Sequence, residues 1–204
     1  MTKTIFITAT NTDVGKSYAS EIFLNRYSQD GFKVGYFKPI ETGVINNKPI
    51  DGISLLNKTK QLNSDFNVDI EDVVPYRFEL GASPYVAKKD LIIDFTFIKD
   101  RLKYLKTFCD VLIIEGAGGL LVPIEKNIFM IDMIKILDID ETILISPSNL
   151  GSINDTLLSQ EALKNRNINF KWYINLYKDA DKFDKITLPF YKDYFKKLYF
   201  LETI

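Results

Sequence analysis

Short apolar runs alternate with longer segments of helical periodicity along the chain. Each run is rich in β-branched and aromatic residues and is apolar on both faces, which is typical of a strand buried in a parallel sheet. The runs predicted as strands are residues 4–9, 34–39, 109–116, 141–147 and 170–175, and the segments predicted as helices are residues 16–29, 51–60, 95–108, 129–137 and 152–166. This order predicts right-handed strand, helix, strand crossovers, and therefore a three-layer α/β sandwich with a mostly parallel sheet.

Length and charge narrow the class of protein. The chain has 204 residues, 46% of them hydrophobic, so we expect a single domain over residues 1–204, with the aromatic and lysine-rich segment after residue 175 packed against its body. The net charge of -1 with mixed signs indicates no nucleic acid or membrane partner. The N-terminal apolar run is too short for a signal peptide, and the single cysteine, Cys109, cannot form an internal disulfide. We expect a cytoplasmic protein that binds small molecules.

The sequence contains no histidine. Ser-His-Asp and Cys-His catalysis are therefore excluded, as are metal sites with histidine ligands. Proton transfer must use other side chains, water or the substrate, while a hard cation held by oxygen ligands is still possible.

A phosphate-binding loop follows the first predicted strand. The stretch TNTDVGKS, residues 10–17, matches the end of the G-x-x-x-x-G-K-[ST] pattern but has Thr10 in place of the opening glycine. In this strand, loop, helix setting, Lys16 is expected to reach the β- and γ-phosphates and the Ser17 hydroxyl to ligate Mg²⁺. The alternative is a polar turn without a ligand. The nucleotide contacts predicted here are Asp13, Val14, Gly15, Lys16, Ser17 and Tyr18.

Two other predicted strands end in charged residues. Lys38 follows the second strand, where it is either a solvated charge or a cation that converges with Lys16 on a transferred phosphoryl group. Glu115 ends the third strand, and a buried carboxylate there needs a partner or a metal. Gly116, Ala117 and Gly118 follow and allow close approach of a nucleotide, although an incidental Glu in a glycine-rich turn is the alternative.

Three further positions have both a structural and a functional interpretation. Asp51 is either the N-cap of a helix or a third oxygen ligand of Mg²⁺. The segment 146–156 precedes a helix and suits either capping or binding of a carboxylate. Asn175 ends the last predicted strand, where its amide is placed to read the edge of a nucleobase.

Five motifs in this order resemble the dethiobiotin synthetase family. They are TATNTDVGKS, GYFKPIETG, ASPYVA, VLIIEGAGGLLVPI and LGSINDT, and they lie between residues 8 and 156. The family's phosphate loop has the variant form G-T-x-T-[DE]-V-G-K-[ST], so the missing opening glycine is a family feature. The resemblance implies a P-loop NTPase-like fold.

The resemblance also implies an activity in biotin biosynthesis. Members of the family are Mg²⁺-dependent cyclo-ligases in which 7,8-diaminopelargonic acid, a diamine, reacts with CO₂ (bicarbonate) to give a carbamate. ATP then phosphorylates the carbamate, and the second amine attacks the mixed anhydride to form dethiobiotin, ADP and phosphate.

The family pattern assigns roles to individual residues. It implies that Ser17, Asp51 and Glu115 ligate the metal, and that Lys16 binds nucleotide phosphate. It further implies that Lys38, with Thr12 beside it, stabilises the carbamate and developing phosphate charge, and that Thr42 contacts the substrate. The family is a homodimer, and the resemblance implies that Gly151, Ser152 and Asn154 of the partner subunit hold the substrate's carboxylate.

Some positions depart from the family pattern and leave alternatives open. Ala9, Tyr85 and Leu176 replace a common glycine, a frequent histidine and an aspartate, and the chain ends before the family's residues that close over the purine. ATP is the default nucleotide, with GTP or another purine triphosphate as the alternative.

A rival function is a switch ATPase of the chromosome-partitioning type, but Asn11 stands where those proteins carry an additional lysine. A relative of the cobyrinate amide synthases would need an amidotransferase domain, for which the chain has little room.

Overall fold

The elements of the fold alternate between strands and helices. The computed structural model describes residues 1–177 and 179–204. The strands are β1 (Lys3–Ala9), β2 (Val34–Phe37), β3 (Ile40–Thr42), β4 (Tyr76–Phe78), β5 (Val111–Gly119), β6 (Pro123–Glu125), β7 (Ile128–Phe129), β8 (Glu141–Pro147) and β9 (Lys171–Asn175). The α-helices are α1 (Lys16–Gln29), α2 (Ile50–Leu62), α3 (Ile70–Val73), α4 (Pro84–Ala87), α5 (Phe95–Leu105), α6 (Asp132–Ile136), α7 (Ser152–Asn165), α8 (Ala180–Ile186) and α9 (Leu188–Tyr194). Two 3₁₀ turns lie at Lys106–Phe108 and Leu201–Thr203.

The central sheet has five strands in the order β2-β5-β1-β8-β9, and every neighbouring pair in it is parallel. Helices flank the sheet, with α1 against β5 and α7 against β8. The predicted α/β sandwich with a mostly parallel sheet is thereby confirmed. Because all five strands point the same way, their carboxyl ends meet at one edge, which is where ligands bind in such sheets.

The core lies along β1, β5 and β8. Ile5, Phe6 and Ile7 of β1 are fully buried, as are Ile113 and Ile114 of β5. Strands buried on both faces explain why the sequence shows continuous apolar runs there instead of alternation. Three buried charged residues lie toward the carboxyl-end edge of the sheet: Glu115 within β5, Lys38 directly after β2, and Lys16 at the start of α1, which follows β1. Burial and charge therefore coincide at one edge of the sheet.

The predicted elements agree with the structure to within a few residues. Helix α1 has the predicted bounds, and β5 extends three residues past its predicted end. The helix predicted over residues 129–137 is shorter, because β7 takes residue 129 into an antiparallel pair with β6. A second short pair, β3 with β4, is parallel and was not predicted. Strand β3 lies soon after β2 in the sequence, and its pairing with β4 positions the Thr42 side of the cleft described below.

The C-terminal segment packs against the body as predicted. Tyr191 is fully buried, and its ring centroid is 5.1 Å from that of Trp172 in β9. Phe183 and Leu201 are 3% and 1% exposed. Across the two described ranges, we find no helix with the length and apolar character needed to cross a membrane.

Candidate active site

A cleft of about 540 Å³ lies at the carboxyl ends of β1, β2 and β5. Twelve of the predicted site residues line it: Thr12, Asp13, Gly15, Lys16, Ser17, Lys38, Thr42, Asp51, Glu115, Gly116, Ala117 and Gly118. Its remaining wall comes from Glu41, Val122 and the segment 81–84. The structure therefore brings the phosphate loop, both predicted lysines and both predicted acidic ligands into one cavity.

The phosphate loop turns sharply into α1. Gly15 has a φ of 96°, a left-handed conformation that favours glycine, and α1 begins at the next residue. The N-terminus of α1 thus faces the cleft and provides free N–H groups and a partial positive charge for an anion.

Lys16 is held against this loop. Its Nζ donates to the carbonyl of Asn11 at 3.1 Å, and the residue is only 9% exposed. Burial lowers the pKa of the Lys16 ammonium to about 8, although the charge of Glu115 opposes this effect. Among the residues described, no carboxylate lies within hydrogen-bond distance of this buried cation, so Lys16 is suited to bind an incoming phosphate.

Lys38 lies between carboxylates. Its Nζ is 2.8 Å from Asp51 Oδ2, 2.9 Å from Glu115 Oε1 and 3.8 Å from Glu41 Oε2. Burial on its own lowers the pKa of Lys38, but the charges of Glu115, Asp51 and Glu41 outweigh burial and raise the pKa above its ordinary value. Lys38 is therefore a cation at neutral pH.

Glu115 accepts four hydrogen bonds. Its Oε1 accepts from Ser17 Oγ and Lys38 Nζ, each at 2.9 Å. Its Oε2 accepts from Ser20 Oγ at 2.9 Å and from the Tyr36 hydroxyl at 3.1 Å. These donors hold a carboxylate that is 1% exposed, which explains how a charge is tolerated within β5, directly after its four apolar residues.

Asp51 completes the acidic wall from the first turn of α2. Its side chain is 52% exposed, and the predicted N-cap position is two residues off, because Pro49 is the N-cap and α2 begins at Ile50. Burial raises the pKa of Asp51, but the nearby Lys38 ammonium more than offsets this, so the net shift is downward.

The oxygen atoms of this wall fit a magnesium ion. The Lys38 ammonium already sits where Asp51 Oδ2 and Glu115 Oε1 converge, so a cation is accommodated there, and Ser17 Oγ bonds to the same Glu115 oxygen. Carboxylate and hydroxyl oxygens are the ligands that Mg²⁺ prefers. In the described part of the chain, no three acidic or cysteine side chains form a metal cluster by themselves, so the remaining ligands would be phosphate oxygens and water.

Three predicted nucleotide residues lie outside the cleft lining. Asn175 is 2% exposed, and its Nδ2 donates to the carbonyl of Val14 at 2.9 Å, so the amide supports the phosphate loop from below. Its buried Oδ1 has no hydrogen-bond partner among the described residues, and the predicted contact with a base edge rests on that atom. The side chain of Val14 is buried in the core, while Tyr18 is half exposed on α1.

The residues predicted to hold the substrate's carboxylate do not line this cleft. They lie at the N-terminus of α7, where Gly151 has a φ of 93°. Ser152 is buried, and its Oγ accepts from the Tyr191 hydroxyl at 3.4 Å, whereas exposed Asn154 donates to Asp155 at 3.2 Å. Within one chain, the Ser152 side chain therefore has a structural role.

One acidic residue of the cleft was missed at the level of sequence. Glu41 is 6% exposed, and its carboxylate accepts from the backbone N–H groups of Asp51 and Gly52 at 3.2 and 3.0 Å. It lies in the quoted motif GYFKPIETG, but its partners are ten and eleven residues away in α2, so no local pattern revealed them.

A parallel sheet with a strand, phosphate loop and helix at its carboxyl edge defines a nucleotide-binding protein of the P-loop class. The sequence profile of the AAA domain family matches residues 3–186. The chain belongs to the dethiobiotin synthetase family. It is 46% identical over 188 residues to an ATP-dependent dethiobiotin synthetase of Sulfurovum sp. (strain NBC37-1), covering 92% of this chain and 89% of that protein. It is 35% identical to the enzyme of that name from Helicobacter pylori, covering 91% of this chain and 87% of that protein.

Solved structures of other proteins share the fold. A plasmid partition protein from Borrelia burgdorferi aligns with a TM-score of 0.61 and 16% identity, covering 98% of this chain and 89% of that chain. The MinD cell division protein of Aquifex aeolicus aligns with a TM-score of 0.58 and 19% identity, covering 97% of this chain and 80% of that chain. At these identities the likeness concerns the fold alone.

Proposed function

We propose that this chain catalyses the ATP-dependent closure of 7,8-diaminopelargonic acid and CO₂ to dethiobiotin, with ADP and phosphate as the other products. The observation that carries this proposal is the convergence of Lys16, Lys38, Ser17, Asp51 and Glu115 around one cleft at the phosphate loop. Membership of the dethiobiotin synthetase family supplies the substrate class.

The phosphate loop binds and orients the triphosphate. Backbone N–H groups from Asp13 to Ser17 face the phosphates at the N-terminus of α1, and Lys16 donates to the β- and γ-phosphates once it leaves the Asn11 carbonyl. Because Lys16 is buried, its charge acts in a poorly screened environment and contributes strongly to phosphate binding.

Ser17, Asp51 and Glu115 would hold a magnesium ion beside the β- and γ-phosphates. When bound, the ion neutralises the charge of the phosphates and polarises the γ-phosphoryl group. The Tyr36 and Ser20 hydroxyls keep the second oxygen of Glu115 in place, so only its Oε1 is directed to the cleft.

Lys38 stabilises the negative charge of the carbamate as its oxygen attacks the γ-phosphoryl group. Its positive charge matches a transition state in which negative charge spreads over the transferred oxygens. Thr12 and Thr42 line the same cleft, and we assign them to the carbamate and the diamine, respectively. Positioning and charge are sufficient for these steps, in agreement with a site that contains no histidine.

We further propose that the enzyme is a homodimer of single-domain chains. The N-terminus of α7, with Gly151 and Asn154, lies outside the cleft of its own chain and would bind the substrate's carboxylate in the partner's site. An exposed left-handed glycine followed by a helix N-terminus suits an anion.

The test is phosphate release by the purified protein with Mg²⁺, bicarbonate and 7,8-diaminopelargonic acid, omitting each component in turn. We expect release that requires both the diamine and bicarbonate, with dethiobiotin formed in equal amount. Parallel reactions with ATP, GTP, CTP and UTP measure the base preference, for which the buried Oδ1 of Asn175 is our candidate determinant. Nucleotide hydrolysis that is indifferent to the diamine would contradict the proposal.

A further inference from the structure

Glu41 joins two parts of the cleft wall that are separate in the sequence. It lies in β3, and its side chain is 8% exposed. Its Oε1 accepts from the N–H of Asp51 and its Oε2 from the N–H of Gly52. Pro49, which precedes α2, provides no side-chain cap, and Glu41 instead binds the free N–H groups of the second and third residues of this helix from another element.

Gly52 allows α2 to approach two neighbouring residues. A Cβ at Gly52 would lie 2.3 Å from Val74 Cγ2 and 3.2 Å from Glu41 Oε2. Glycine is therefore required mainly by the packing of α2 against Val74, and this packing also leaves room for the carboxylate beside the helix backbone. A buried acid is costly unless it is bonded. Two N–H donors and the Lys38 ammonium at 3.8 Å offset part of this cost, although burial outweighs them and raises the pKa of Glu41.

The contact fixes the backbone of Asp51. The Asp51 side chain is 52% exposed and reaches Lys38 through Oδ2, so its own packing holds it only weakly. Its N–H is bonded to Glu41, which orients the Cα from which the carboxylate projects into the cleft. Glu41 also faces the same ammonium as Asp51 and Glu115, so it shares the charge of Lys38 with them.

We propose that Glu41 is a positioning residue with two effects. It holds Asp51 in the geometry needed to bind the divalent cation, and it remains a carboxylate partner of Lys38 when Asp51 and Glu115 bind that cation. This inference rests on the proposed function, because it takes Asp51 and Glu115 as the acidic metal ligands. It assigns Glu41 no contact with the nucleotide or the diamine.

The experiment measures Mn²⁺ binding by the full chain at saturating ADP, using the electron paramagnetic resonance signal of free Mn²⁺. The variants are Glu41→Ala and Glu41→Gln, and the control is Asp94→Ala, which removes a carboxylate that caps α5 through the N–H groups of Thr96 and Phe97. ADP affinity without metal and urea unfolding are measured for each protein.

We expect Glu41→Ala to weaken Mn²⁺ binding roughly 10-fold or more, as the loss of residues that orient metal ligands does. Glu41→Gln keeps one acceptor oxygen and is expected to bind Mn²⁺ with intermediate affinity. ADP affinity without metal should not change, and Asp94→Ala should lower stability but leave Mn²⁺ affinity at the wild-type value.

Two results would overturn the inference. One is wild-type Mn²⁺ affinity in Glu41→Ala, and the other is an equal loss of metal-free ADP affinity, which would indicate a general loss of structure. Absence of Mn²⁺ binding by the wild type would instead refute the metal site of the proposed function, together with this role of Glu41.

Discussion

Lys38 Nζ and Glu115 Oε1 are 2.9 Å apart, with only 6% and 1% of the two side chains exposed. Lys38 directly follows β2 and Glu115 lies within β5, and the two come together because β2 pairs with β5 in the register Phe37 to Ile114. Two buried charges in contact stabilise each other, whereas either one alone would be costly. The same pair of residues therefore contributes to the stability of the fold and to the chemistry of the cleft.

Replacing Lys38 is expected to affect both activity and stability. Lys38→Ala leaves Glu115 and Glu41 without their cation, so we expect a loss of about 3 to 5 kcal/mol in the free energy of unfolding. Turnover should fall at least about 100-fold, since a charge-stabilising donor is lost. Urea unfolding and phosphate release measure these effects, and Mg²⁺ should restore part of the stability because it can occupy the space between the carboxylates.

The control for this variant is Lys58→Ala. Lys58 forms a surface ion pair with Glu21 at 3.6 Å, and we expect its removal to change stability by less than about 0.5 kcal/mol. Equal stability of Lys38→Ala and Lys58→Ala would show that the buried pair contributes nothing to the fold.

Replacing Lys16 is expected to weaken nucleotide binding without lowering the stability of the fold. Lys16 donates to a carbonyl and forms no ion pair among the residues described, so Lys16→Met leaves no buried carboxylate without a cation. We expect unchanged or higher stability but an affinity for ATP that is lower by about 1.5 to 3 kcal/mol, as for a lost bond to a charged group. Calorimetric titration and urea unfolding test this, with Lys99→Met on the exposed side of α5 as the control.

The lowered pKa of Lys16 gives a second test of its role. Since burial lowers this pKa to about 8, the ammonium loses its proton as the pH rises through about 8. The affinity of the wild type for ATP should therefore fall over that range, and Lys16→Arg, which stays protonated, should lack this dependence. A pH-independent affinity of the wild type would argue against a direct contact between Lys16 and phosphate.

Substitutions at two glycines with similar backbone conformations separate the effect of backbone strain from that of a specific contact. Gly15 and Gly31 have φ values of 96° and 89°. A Cβ at Gly15 would lie 2.3 Å from Asn175 Nδ2, whereas among the described residues no atom lies within 4 Å of a Cβ at Gly31. We expect Gly31→Ala to cost about 1 kcal/mol of stability without affecting ATP binding. Gly15→Ala should in addition displace Asn175 and lower ATP affinity, as measured by titration.

If Gly15→Ala bound ATP as well as Gly31→Ala does, the contact between Asn175 and the loop would have no part in nucleotide binding. The variant Asn175→Ala provides the matched comparison, because it removes the bond to the Val14 carbonyl without strain at Gly15.

Acid should remove the contribution that Glu141 makes to the free energy of unfolding. Burial raises the pKa of this carboxyl, but Lys171 and Lys3, each 2.6 Å away, outweigh burial and lower it below its ordinary value of 4.5. A carboxyl with a lowered folded-state pKa stabilises the protein above its unfolded-state pKa, and this contribution disappears as the pH falls through the folded-state value. Glu141→Gln should thus lose about 1 kcal/mol near neutral pH and nothing well below pH 4.5.

Urea unfolding of the wild type and Glu141→Gln across this range measures the difference. A difference that persists unchanged in strong acid would show that packing, and not charge, accounts for the effect of the substitution.

The sequence predicted the parts of the site that follow long apolar strands. Lys38 and Glu115 could be predicted because a charged residue directly after a buried run is conspicuous, and parallel strands bring such residues to one edge. The strands β3 and β4 have three residues each, too few to show a period, and they pair across more than thirty positions of sequence. Glu41 was missed for the same reason, since its donors belong to a helix that begins after an intervening turn.

The order of strands in the central sheet has a consequence for synthesis on the ribosome. In the described structure, β1 and β2 each pair with β5, but they do not pair with each other. A nascent chain that ends before residue 111 therefore contains two apolar strands that cannot yet join, and Lys38 lacks Glu115, its buried partner 77 residues further on. Until β5 emerges, the backbone groups along the edges of β1 and β2 have no strand to pair with, and such edges promote aggregation. The growing chain should therefore depend on chaperones most during translation of its first half.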